Sequence, residues 1–130
     1  SLEHTADPLD TLRKLVDMLK PGGCLHIAVP NYNSWDAKHY KNFWAGYDVP
    51  RHLWHFSSES FGPVSEQLGL ALIDQQPHWF DAFYVSYLSE KYKGSAAPLL
   101  RGALRTAAAV LSKKAFRNPS ATYAALKKPF

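Results

Sequence analysis

A Pro-Gly-Gly sequence at positions 21–23 separates two segments of different periodicity and constrains the fold more than any other feature. Before it, apolar residues recur at steps of three and four over 8–19, which predicts an amphipathic helix. After it, residues 24–29 are almost continuously apolar, which predicts a strand buried on both faces of a parallel sheet. Proline and two glycines end the helix and turn the chain at once. Together these segments predict an α/β architecture.

The rest of the chain supplies further elements. Residues 31–57 form a long aromatic-rich connection, and a connection of this length predicts a functional lid or short helices. Apolar spacing and turn residues predict the other helices over 58–68, 84–93 and 98–116, and a strand over 70–80. Residues 121–126 fit either a last strand or the end of a helix, and we favour a strand.

Charge is distributed unevenly along the sequence. All 11 acids lie in residues 1–90 with 6 Lys/Arg, whereas residues 91–130 carry 9 Lys/Arg and no acid. A basic segment of this kind is either a solvated surface or a contact surface for an anionic partner. The helix at 98–116 is dominated by alanine and lacks tryptophan, so the sequence favours a lid or a dimer contact over a membrane or nucleic-acid partner.

The single cysteine and the hydropathy bear on the compartment. Cys24 has no intrachain partner, which excludes a disulfide framework, and we expect it to be a small buried apolar residue. No apolar run approaches the roughly 20 residues of a membrane span, and Ser1-Leu2-Glu3-His4 does not resemble a signal peptide. We therefore expect a cytoplasmic protein.

Several of these motifs occur together in one known family. Leu2-Glu3-His4, Lys20-Pro21-Gly22-Gly23 and Val29-Pro30-Asn31 resemble the run from the fourth to the fifth strand of a class I S-adenosylmethionine (SAM)-dependent methyltransferase. His52-Leu53-Trp54-His55-Phe56-Ser57, followed by a helix that ends at Leu68-Gly69-Leu70, resembles the approach to the sixth strand of the same enzymes. The resemblance covers residues 1–80.

The resemblance implies a partial Rossmann-like methyltransferase sheet that comprises strands four to seven. Ser1–His4 would end the fourth strand, and the fifth, sixth and seventh strands would be 24–29, 70–80 and 121–127. The seventh strand would be antiparallel and inserted between the fifth and sixth. Residues 31–57 would be an aromatic loop and 84–116 a helical insertion, so that 1–130 would be the C-terminal portion of one methyltransferase domain.

The resemblance also implies SAM as the cofactor. The glycine-rich turn that approaches SAM in these enzymes does not occur in this sequence, and neither does the acid that ends their second strand. Ligands of open α/β sheets bind at such turns. We therefore expect a fragment that is inactive alone and borders the cofactor only through Ser1, Leu2, His4 and Asn31.

Four polar residues are candidates for catalysis. Methyl transfer needs a nucleophile about 3 Å from the methyl group and sometimes a general base. The candidates are Glu3, His4, His52 and His55. In small-RNA and ubiquinone-type methyltransferases a similar strand end reads Glu-x-x-Glu-His and binds a divalent metal; Glu3 and His4 match its last two letters, and His55 lies near a further histidine of the RNA enzymes.

Three interpretations of these four residues stay open. They could form a metal site, they could supply a base without a metal, or their side chains could bond only to loop backbone. The metal pattern is incomplete in this sequence, so we assign no metal ligand.

Six residues of the aromatic loop are candidates for binding the acceptor: Tyr32, Trp35, Trp44, Tyr47, Arg51 and Trp54. Large aromatic side chains either wall a pocket for an apolar or planar ligand or anchor a long loop onto the domain. Arg51 either orients an anionic group of the acceptor or pairs with Asp48. His26 and His78 are expected to be structural.

The sequence thus predicts part of a methyltransferase that acts on an oxygen or nitrogen of a small-molecule or lipid-like acceptor. Two alternatives come from other functional classes. One is an interaction module, in which an unpaired strand edge associates or exchanges strands with a second copy. The other is a basic surface-binding module formed by residues 91–130, whose affinity would fall steeply with salt.

Overall fold

The computed structural model describes residues 2–78, 81–112 and 118–130. Its helices are α1 (Pro8–Met18), α2 (Trp35–Tyr40), α3 (Phe61–Gln67), α4 (Ala82–Tyr92) and α5 (Pro98–Leu111). Its strands are β1 (Cys24–Pro30), β2 (Ala71–His78) and β3 (Ala121–Lys127). Three predictions concern residues outside the described ranges: the contact of Ser1 with a cofactor, the continuation of the second strand into Trp79-Phe80, and the end of the last helix at 113–116.

The three strands form one sheet in the order β1-β3-β2, and β3 is antiparallel to both neighbours. The predicted strand at 121–127 is therefore present, in the inserted position that the methyltransferase resemblance implies. Because β3 runs opposite to both of its neighbours, β1 and β2 are parallel to each other. Their carboxyl ends consequently lie at one edge of the sheet.

Only one face of β1 is buried, so the prediction of a strand covered on both sides is wrong. Ile27 and Val29 are buried, whereas His26 and Ala28, which alternate with them, are exposed. Side chains along a strand point to opposite faces, and only one face of β1 is covered by helices in the described structure. Cys24 is likewise exposed, which corrects its assignment as a buried residue.

The main core lies between the sheet and helices α1 and α3. Asp7 caps α1 by accepting a hydrogen bond from the Asp10 amide at 2.9 Å, and Pro8 occupies the first helical turn. The other end of α1 is followed by a turn that contains Gly22 at φ +75°. The buried members of this core are Leu2, Leu12, Ile27, Val29, Phe61, Leu70, Ala124 and Leu126.

A second layer is formed by the aromatic segment and by α2, α4 and α5. The predicted short helices are present in 31–57, as α2 and two 3₁₀ turns at Lys41–Phe43 and Ala45–Tyr47. Ala37, Tyr40 and Trp44 form a small buried cluster with Val85 of α4 packed against it. No helix within the described ranges is long and apolar enough to cross a membrane.

Residues Leu2–His4 form a 3₁₀ turn, so the predicted strand end at 1–4 is wrong for its described part. The Leu2 carbonyl accepts from the Thr5 amide at 3.2 Å and from the Thr5 hydroxyl at 2.8 Å. The Glu3 carbonyl accepts from the Leu53 amide at 2.8 Å. The Leu2 and Glu3 carbonyls therefore form hydrogen bonds within the turn and with the 51–54 segment, and not with a neighbouring strand of the sheet.

Candidate functional site

A cavity of about 390 Å³ opens at the edge where β1 and β2 end. Pro30 and His78, at the ends of those strands, line it together with Ala121 at the start of β3. Its other walls are formed by the 3₁₀ turn at Leu2–His4, by the 44–52 segment and by α4. Ligands of open α/β sheets bind at the carboxyl ends of parallel strands, so this cavity is in the expected place for a functional site.

Residues 51–54 are fixed to residues 3–5 by four hydrogen bonds. The Leu53 and Trp54 amides both donate to the Glu3 carbonyl, at 2.8 and 3.3 Å. The His4 ring bonds to the Arg51 carbonyl at 2.9 Å, and the Trp54 indole donates to the Thr5 carbonyl at 3.0 Å. These bonds bring two distant parts of the sequence to one end of the cavity.

The position of the proton on His52 follows from its neighbours. Nδ1 lies 3.0 Å from the Gly46 carbonyl oxygen, which only accepts, so Nδ1 carries the hydrogen. In the neutral ring Nε2 is then a proton acceptor. It lies 3.9 Å from Oε1 of Glu3 and 3.7 Å from Oδ2 of Asp48. His52 therefore places Nε2 between two carboxylates at the cavity wall.

Asp48 is itself held by a second charged residue. Nη2 of Arg51 lies 2.6 Å from its Oδ1, and this hydrogen bond with the carboxylate raises the pKa of Arg51. Arg51 lines the cavity, but its pairing with Asp48 is the partnership that the sequence left as an alternative. The pair leaves Oδ2 of Asp48 directed toward His52.

The predicted catalytic residues are only partly brought together. One ligand atom each of Glu3, His4 and His52 lies within 4.8 Å of the others, an arrangement that could hold a divalent ion. His55 is outside this group, because its Nε2 bonds to the Tyr47 carbonyl at 3.1 Å. All three histidine rings thus bond to loop backbone, as one of the three interpretations expected. In addition, His4 and His52 each place Nε2 near the Glu3 carboxylate.

Among the predicted aromatic residues, only Trp44 lines the cavity. Its side chain is 2% exposed and meets the Tyr47 ring edge-on. Trp35 instead packs against the Arg105 guanidinium, 3.1 Å from the ring centroid, and anchors α5. Tyr32 and Trp54 are about half exposed and lie outside the cavity lining. Most of the aromatic loop is therefore a structural anchor.

Helix α4 supplies the wall that the sequence analysis missed. Tyr84, Leu88 and Tyr92 recur at steps of four residues and line the cavity together with Val85. This spacing is visible in the sequence and predicts a helix, but it does not indicate that the helix faces a cavity. His78, expected to be structural, also lines the cavity, and its Nδ1 is buried without a hydrogen-bond partner among the described residues.

Two residues predicted to border the cofactor make contacts within the protein instead. Asn31 is fully buried, and its amide nitrogen donates to Asn118 at 2.7 Å and to the Pro119 carbonyl at 3.1 Å. Leu2 belongs to the main core. Cofactor contact by these two side chains stays a prediction. Their geometry supports a structural role, in which they hold neighbouring segments of the chain together.

Comparison with known families agrees with this architecture. A family profile described as a methyltransferase domain matches residues 1–75. The match covers more than half of the chain, and the chain belongs to this family. It includes the 3₁₀ turn, β1 and the 51–54 segment, and it ends within β2. No curated protein gives a significant match to the sequence.

Proposed function

We propose that this chain is the acceptor-binding side of a SAM-dependent methyltransferase, with His52 as the general base. The observation that carries the proposal is the position of the His52 ring, whose Nε2 lies at a cavity wall between two carboxylates. Membership of the methyltransferase family supports the reaction class. These residues would supply one end of the binding cavity, the general base and the two carboxylates beside that base.

The site fits one end of SAM and not the other. Glu3 lines the cavity with a carboxylate that suits a positive charge, and SAM when bound supplies a methyl group on a positively charged sulfonium. The nucleotide end requires a glycine-rich turn after a strand, which this sequence lacks. We therefore propose that the nucleotide is held by a segment outside these 130 residues, and that the chain alone is inactive.

The cavity lining indicates the class of acceptor. Its walls combine apolar side chains of Trp44, Val85 and Leu88 with phenols of Tyr84 and Tyr92. The ring nitrogens of Trp44 and His78 are buried without hydrogen-bond partners among the described residues. A buried polar atom without a partner costs free energy, which a ligand with its own polar groups would recover. These features favour a planar, hydroxylated small molecule.

His52 would accept the proton that the acceptor loses. With SAM bound as the methyl donor, the acceptor hydroxyl would pass its proton to Nε2 of His52 as its oxygen gains the methyl group, and the demethylated cofactor would leave as a neutral thioether. The ring then carries a positive charge, which Glu3 and Asp48 stabilise from either side. The Gly46 carbonyl keeps the ring oriented throughout, because Nδ1 donates to it in both protonation states.

The test is replacement of His52 by glutamine in the methyltransferase that carries this chain. Transfer of a labelled methyl group from SAM to a panel of mono- and dihydroxylated aromatic compounds is measured, with His55→Gln as the matched control. We expect His52→Gln to lower kcat by about 10²–10⁴-fold with a small change in KM. His55→Gln should be close to the unmodified protein, since His55 lies outside the cavity.

Equal activity of the two variants would contradict the assignment of the base. A loss that appears only in KM would give His52 a binding role in place of proton transfer. Circular dichroism of both variants shows whether either substitution has disturbed the fold.

A second proposal, association through β1, rests on the free edge of that strand. Within the described ranges β1 pairs only with β3, and a groove of about 300 Å³ runs beside it, lined by Leu12, Leu15 and Leu25 among others. Unpaired edges bind further strands. We propose that the isolated chain associates through this edge, and that its mass measured by light scattering rises with concentration. A constant monomer mass would contradict this.

A further inference from the structure

The outer face of α5 is apolar although it is exposed. Leu100, Leu104 and Leu111 lie four and seven residues apart and therefore share one face of the helix. Their exposed fractions are 62%, 61% and 85%. Leu99 and Val110, which flank this face, are 62% and 51% exposed. We call these five residues the leucine row.

The opposite face of the same helix is the one that packs on the protein. Gly102 and Ala109 are buried, and each lies two residues, or about half a turn, from a leucine of the row. Gly102 lies against the backbone of Tyr87 in α4. The helix is thus fixed with its small residues inward and its large apolar residues outward, the reverse of an ordinary surface helix.

The exposed charged residues of α5 and of the chain just before it are all positive. Residues 91–130 contain no acid, and Lys91, Lys93 and Arg101 are exposed. Arg105 does not contribute, because it is paired with Asp36. A twofold contact between two copies of the row would bring identical positive charges together, which opposes association. A partner that fits the leucine row therefore has an apolar interior and a negatively charged surface.

We propose that α5 docks on the surface of an anionic lipid bilayer, with the leucine row in the interface and the neighbouring cations toward the headgroups. Partly inserted apolar side chains and attraction to anionic lipids are the two contributions that hold interfacial helices. Lys and Arg near such a surface add to the attraction and lose it as salt rises. The sequence alone, with its many alanines, does not favour this partner; the outward orientation of the leucines is what supports it.

The position of α4 connects this surface with the cavity. One side of α4 packs on α5, and Tyr84, Leu88 and Tyr92 of α4 line the cavity. Docking of α5 would therefore hold the cavity wall close to the bilayer, where an acceptor with an aromatic ring would be concentrated. This connection rests on the proposed function, whereas lipid binding itself does not.

Vesicle flotation tests the proposal directly. The protein is mixed with phosphatidylcholine vesicles that contain about 30% phosphatidylglycerol, or with pure phosphatidylcholine vesicles, in about 0.1 M salt. We expect binding to the anionic vesicles to exceed binding to the neutral ones, and to weaken in about 0.5 M salt. The double variant Leu100→Ser/Leu104→Ser should bind about tenfold less.

Leu53→Ser is the matched control, because Leu53 is 58% exposed and lies outside the leucine row. It should bind like the unmodified protein, and thermal unfolding shows whether all variants remain folded. Equal binding to neutral vesicles, or no effect of the double variant, overturns the proposal. So does binding of duplex DNA or RNA in place of vesicles, or a fall from dimer to monomer mass in the double variant without vesicle binding.

Discussion

At the scale of single residues, Arg105 shows how one side chain joins distant parts of the chain. Its Nε lies 3.0 Å from Oδ1 of Asp36, and its guanidinium stacks 3.1 Å from the centroid of Trp35. The Ser120 hydroxyl donates to the other oxygen of Asp36 at 2.5 Å. Burial lowers the pKa of Arg105, and Asp36 opposes that shift. Helices α2 and α5 and the start of β3 therefore share one buried ion pair.

We predict that Arg105→Ala destabilises the protein by about 3 kcal/mol, because Asp36 remains buried without its cation. Urea unfolding monitored by circular dichroism measures the change. Lys14→Ala is the control: Lys14 pairs with Asp10 at 2.7 Å but is exposed, so its loss should change the free energy of unfolding far less than the loss of Arg105. Similar losses in the free energy of unfolding for both substitutions would show that the Arg105–Asp36 pair does not hold α2 and α5 together.

At the scale of elements, the contact between α4 and α5 depends on a missing side chain. A Cβ atom at Gly102 would lie 2.9 Å from the Cα and amide nitrogen of Tyr87. These are backbone atoms, which cannot move aside without moving α4. Glycine is thus required here for close approach of two helices, and the approach sets both the cavity wall and the outward face of α5.

Gly102→Ala is expected to destabilise the protein by about 1–3 kcal/mol, since α5 must move away from α4. Gly62 in α3 is the comparison glycine, because an added Cβ there meets no atom within 4 Å other than its chain neighbours. Gly62 precedes Pro63, whose ring opposes a Cβ on a preceding helical residue and offsets the gain in helix propensity, so we expect Gly62→Ala to change stability by less than about 1 kcal/mol. Thermal and urea unfolding of the two variants test this pair; a stabilising Gly102→Ala would refute the close contact.

At the scale of the whole molecule, the elements that depend on local signals were predictable. The Pro-Gly-Gly turn ends α1 near its predicted limit, the spacing of apolar residues locates α4, and the strand favoured at 121–126 is present and one residue longer. These features depend on residues within one or two turns of each other. The inserted position of β3 is long-range and came from the family resemblance, since no local signal specifies strand order.

The candidate site was less predictable because it depends on contacts between distant residues. Glu3 and His52 are brought together by hydrogen bonds between residues 3–5 and 51–54 that no sequence pattern encodes. His52 and His55 are equivalent in the sequence, yet one faces the cavity and the other bonds a carbonyl outside it. The orientation of α5 is similar: its spacing shows an apolar face, but packing against α4 decides that this face points outward.

The central claim is that these residues form the acceptor side of a methyltransferase and that another segment holds the nucleotide of SAM. Calorimetric titration of SAM tests it most directly. The titration is made into the 130-residue chain, and into the same chain joined to the nucleotide-binding segment of its natural protein, with circular dichroism to verify that both are folded. We predict saturable binding by the longer protein only. Specific binding by the 130-residue chain alone, or no binding by either protein, would contradict the account.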